Sequence, residues 1–150
     1  MASGWTNKGK ARVLEIALAN GTEPTAMYVA LVTSATSPTA AINTKSELTE
    51  LASGNGYTTG GIILTRNATN FPTVEDDGNS RGSIDIPDQA WTASGGAIPA
   101  SGGQARWAIL TDDNATQGSR EVWYWWDLTS DRTVSDTQVL TISNMLIYLT

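Results

Sequence analysis

The chain has no histidine and no cysteine. Without histidine it lacks the commonest general base, the commonest neutral metal ligand and every Ser-His or Cys-His nucleophile pair. Without cysteine it has no disulfide and no thiolate, and a zinc site would need carboxylates alone. Charge is scarce as well: 16% of residues are charged, against about 25% in soluble domains. Thr, Ser, Asn and Gly fill the polar positions instead, and such a surface costs little to desolvate against a neighbour. No run approaches ~18 consecutive apolar residues, so no transmembrane helix and no membrane partner are expected. The opening MASGWTNKGK lacks the apolar stretch of a signal peptide. An enzyme would have to work with paired carboxylates or Ser-Lys, and none of the 15 acids is marked by its surroundings. Catalytic residues, metal and cofactor are therefore all expected to be none.

What is present fits one domain over 1–150. The net charge of −6 is uneven. Lys8, Lys10 and Arg12 are the only charges before Glu15, so the first twelve residues carry +3 and the remainder −9. An acidic body does not hold nucleic acid through counterion release. The basic end could dock on an acidic partner, with residues 1–9 as an extended arm and Trp5 as its anchor.

Ala11, Leu14, Ala17 and Leu18 recur at helical spacing, widened by Val13 and Ile16, and predict an amphipathic helix starting near Lys10. Gly21 stands where a left-handed cap belongs. The opposite strip of Lys8, Arg12 and Glu15 reads as solvated or partner-facing. AMYVALVTSA (26–35) is apolar on both alternating faces, as a strand covered on both sides would be. Thr44 and Glu47 have capping-box spacing and predict a short second helix. From Tyr57 the period falls to two. Strands are expected in GGIILTR, GSIDIP, QARWAIL, EVWYWWDL and a long final QVLTISNMLIYLT, with Asn144 marking a change of register. TASGGAIPASGG reads as a mobile loop, and the acids at 75–77 and 112–113 read as solvated turns. The fold class expected is α+β, mainly antiparallel β: a sandwich or flattened barrel with the helix laid on one face.

EVWYWWDL poses the functional question. Simple alternation puts Val122, Tyr124, Trp126 and Leu128 on one face and Glu121, Trp123, Trp125 and Asp127 on the other. Each buried indole removes roughly 150–250 Å² from water, about 4–6 kcal/mol as an upper bound. Something should therefore cover Trp123 and Trp125. The chain's own helix or loop, another subunit, or a stacked sugar could each do so.

The opening helix, YVALVTSA (28–35), the GNGY step (54–57), RWAILTDD (106–113) and the closing WWDLTSDRTVSDTQVLTISNMLIYL form a pattern. In this order of segments the chain resembles small tailed-bacteriophage virion proteins, labelled tail-fibre-like and in some phages acting as capsid cement or decoration proteins. The resemblance implies a noncatalytic protein on the capsid surface of a virion, trimeric or otherwise clustered. Its partners would be copies of itself and the major capsid protein. The candidate interface residues are Trp5, Lys8, Lys10, Arg12, Trp123 and Trp125. The same label leaves an adhesin open, in which the tryptophans meet a glycan.

Overall fold

The computed structural model describes residues 3–150. Its elements are β1 (Ser3–Trp5), α1 (Asn7–Ala19), β2 (Ala26–Thr33), β3 (Ile62–Thr65), β4 (Thr73–Asp76) and β5 (Arg81–Ile86). They continue with β6 (Gln89–Thr92), β7 (Ala105–Thr111), β8 (Val122–Arg132), β9 (Val139–Ile142) and β10 (Met145–Leu149). Three sheets result, with orders β1-β8-β7-β2-β3, β10-β5-β4 and β6-β9, and every pairing is antiparallel. The fold is α+β, mainly antiparallel β, and sandwich-like. One face of the five-stranded sheet supplies Met27, Val29, Leu31, Leu110, Tyr124 and Trp126 to the main core. The two smaller sheets answer with Ile86, Trp91, Leu140, Ile142, Met145 and Ile147.

β2 is buried on both faces, as its sequence predicts. Ala30, Val32, Ile109 and Val122 form a second cluster on its outer side, covered by Ile42 and Leu48 from the connection after β2. A loop therefore does the work expected of a helix. α1 lies elsewhere, at the edge of the sheet beside the start of β8. There Thr6 N–H continues the strand pairing to Trp123 O at 3.0 Å, and Gly9 lies directly on the Trp123 backbone.

Several expectations need correction. Residues 3–9 are not a free arm: Ser3, Gly4 and Trp5 pair with Trp126, Trp125 and Tyr124, while Met1 and Ala2 lie outside the described residues. The helix starts at Asn7 because Thr6 caps it, accepting Gly9 N–H on Oγ1 at 2.8 Å. Its left-handed cap is Asn20 (φ 54), with Gly21 N–H returning to Glu15 O at 3.0 Å; Asn tolerates that region. The second helix is a single 3-10 turn, Lys45–Glu47. Past it, Leu31 O accepts Leu51 N–H and Thr49 O accepts Thr33 N–H, so pairing with β2 takes the groups a longer helix would use. The final segment is two strands in different sheets, broken at Asn144, whose φ is 59. The 92–103 loop is pinned by fully buried Ile98, which pairs with Val134.

Candidate interaction surface

The tryptophan run does not alternate simply. Leu110 pairs with Tyr124, but Thr111 pairs with Val122, so β8 carries one extra residue, Trp123, at this point. A bulge of this kind turns consecutive side chains toward one side. Trp123 accordingly joins Tyr124 and Trp126 in the main core, whereas Val122 joins Trp125 in the outer cluster. Trp123 is 8% exposed. Its own chain dries it, the first of the three covers that the sequence left open, so Trp123 is not an open interface residue. Trp125 stays half-buried, its ring lying across Gly4, where any Cβ would collide with it.

The other residues expected at an interface divide. Trp5 is half-buried, stands edge-on to Tyr124 with ring centroids 5.2 Å apart, and donates its indole N–H to Tyr148 O at 2.5 Å. Trp126 donates likewise to Leu146 O at 2.9 Å. Two indoles of the five-stranded sheet thus satisfy alternate carbonyls of β10, an edge strand of the opposing layer, and tie the layers together. Lys8 reaches Glu121 at 2.9 Å, and Arg12 Nε faces the same carboxylate at 3.1 Å. Their charge is spent inside the chain rather than offered to a partner. Lys10 alone of the basic trio is exposed.

The surface that does remain open was not singled out by the sequence. α1 buries Gly9 and packs Val13 and Ile16 against the main core. That leaves Ala11, Leu14, Ala17 and Leu18 in solvent, with Leu14 58% and Leu18 81% exposed. Of the apolar stripe read from the sequence, only its Val13 and Ile16 margin meets the core, and the central four residues face away from it. The signal was present: a 13-residue helix with apolar residues on both strips has more than one buried face can use. A second partly open pair joins Trp125, which the sequence singled out, to Trp107. Both are half-buried against the outer cluster, beside an Arg106–Asp127 ion pair whose guanidinium stacks on Trp107 at 4.9 Å.

A cleft of about 770 Å³ opens between the layers, lined by Trp5, Met27, Phe71, Leu110, Trp123 and Ile147, with the Glu23–Arg66 ion pair (2.6 Å) among its polar groups. Apolar contact is what such a lining offers. The Trp123 and Trp107 indole N–H groups have no acceptor among the described residues.

Polar groups elsewhere fasten loops. Glu50 pairs with buried Lys45 and accepts from Tyr57 Oη at 2.8 Å and Gly60 N–H at 2.6 Å. Burial first, and the Glu50 charge second, push the Tyr57 hydroxyl well above its ordinary value. Asp113, expected to face water, accepts the N–H groups of Thr25 and Ala26 at 2.8 and 3.0 Å. Asp112 accepts Glu121 N–H at 3.0 Å, and burial raises its pKa. Asp76 closes the β4–β5 turn through Asn79 and Arg81, which hold its pKa down. No protein family, no curated protein and no solved structure matches the chain.

Proposed function

We propose that this chain is a non-enzymatic structural protein of a phage virion, a capsid cement or decoration protein that bridges neighbouring subunits of the major capsid protein. The observation that carries the reading is the apolar face of α1, Ala11, Leu14, Ala17 and Leu18, turned to water. Large aliphatic side chains on a rigid helix gain roughly 1.5–3 kcal/mol each when a partner covers them. The low charge of the chain reduces the desolvation cost of such contacts. Bridging would work by burial shared between adjacent shell subunits.

The test is occupancy on purified particles. A cement protein is present at high, uniform copy number by gel densitometry, and Leu14→Glu with Leu18→Glu strips it from the shell. A handful of copies per particle, or full occupancy of the double variant, overturns the reading. The half-exposed pair Trp107 and Trp125 favours a second reading, an adhesin that stacks a sugar. Glycan-array binding with quenching of tryptophan fluorescence, lost in Trp125→Ala, would support it.

A further inference from the structure

We infer that α1 is a self-association seam, packing in parallel against α1 of a second copy of this chain. The inference rests on α1 being a contact face, as proposed above, and gives that face to a second copy, so that copies clustered through α1 would meet the shell together. In a seven-residue repeat abcdefg with Ala11 at a, Leu14 falls at d and Leu18 at the next a. The residues that α1 turns inward, Gly9, Arg12, Val13 and Ile16, are then f, b, c and f. A free coiled coil shows those positions to water and buries a and d. This helix does the reverse with its own core, and leaves the a/d seam unpartnered.

The flanking charges select the partner and its direction. Lys10 occupies g and Glu15 occupies e, five residues on. That g-to-e′ step is the one spanned by salt bridges between parallel helices. Lys10 is exposed and Glu15 has a half-exposed side chain. Arg12 takes Glu15 Oε2 at 2.5 Å, so Oε1 is the oxygen that receives Lys10 of the second copy. An unrelated apolar partner would have no reason to match this spacing; a copy of the same helix matches it from both sides. Parallel alignment of identical helices also requires a rotation axis running beside α1, which gives a closed assembly. The seam is short, about 20 Å for 13 residues, and less than a standard interface buries. Association is therefore expected to depend on concentration.

Sedimentation equilibrium of the full chain from about 10 µM to 1 mM tests this. The weight-average mass should rise above the 15.9 kDa of one chain to an integral multiple of it. Leu18→Glu should return it to one chain with unchanged circular dichroism, since Leu18 is exposed. Lys10→Glu and Glu15→Lys should each weaken association at least tenfold, and the double swap should restore it. A single-chain mass throughout, association indifferent to Leu18→Glu, or single swaps that the double swap does not rescue would each overturn the seam. A single-chain protein that still decorates particles through α1 removes the seam and keeps the proposed function. An oligomer absent from particles does the opposite.

Discussion

Gly9 sets how closely helix and sheet can approach. A Cβ there would stand inside contact distance of the Trp123 carbonyl, with the Trp123 Cα at 2.6 Å. Helix propensity alone favours Ala over Gly by about 1 kcal/mol, whereas forcing atoms into a packed contact costs about 1–3 kcal/mol. The contact involves backbone on the β8 side and should win. Gly9→Ala is expected to lower stability in urea denaturation, the opposite sign to an ordinary helical Gly→Ala change. Glu47 illustrates charge at the same scale. Its carboxylate accepts the N–H groups of Thr44 and Asn43 at 2.8 and 2.9 Å, which hold its pKa below the ordinary value. The folded state thus prefers the charged form. Its contribution is present above the ordinary carboxyl range near pH 4.3 and is lost as pH falls through the lowered folded value. The stability gap between wild type and Glu47→Gln should be widest at neutral pH and close in acid.

Elements divide the labour of the two apolar strips on α1. Ile16 packs on the main core while Leu18, two residues on, is 81% exposed. Ile16→Ala should cost about 1–2 kcal/mol, part of the full price of a buried truncation. Leu18→Ala should fall within about 0.5 kcal/mol of wild type. Equal costs in urea denaturation would mean that the helix is seated differently. In β8, the bulge at Trp123 carries a comparable decision. One extra residue moves a whole indole from the outer face to the core and leaves Trp125 behind.

At the scale of the molecule, the N-terminal strand belongs to the fold. β1 closes one edge of the five-stranded sheet, Trp5 bonds across to β10, and fully buried Thr6 caps α1. Deleting residues 1–6 removes a cap worth about 1 kcal/mol and the contact area of one indole, roughly 2 kcal/mol or more. The melting temperature should drop by about 6 °C or more. An unchanged melting temperature would mean that β1 is a dispensable arm. Loss of particle binding on such a deletion would consequently report the fold as well as a contact.

Much was determined by the sequence alone, because it depends on local period and composition. The helix, the doubly covered β2, the strands around Ile84 and Trp107, the capping spacing of Thr44 and Glu47, and an irregularity at Asn144, though not the change of sheet there, all follow from side-chain spacing along one segment. Only the tertiary structure decided which way the surplus apolar residues face. Alternation in β8 fails at Trp123 because of its register with β7, a property of two paired strands rather than of either one. The helix strip that looked like core is exposed because Gly9 and Thr6 fix its rotation against β8. Spacing says that a helix has an apolar face; when it has two, the neighbour it meets chooses between them.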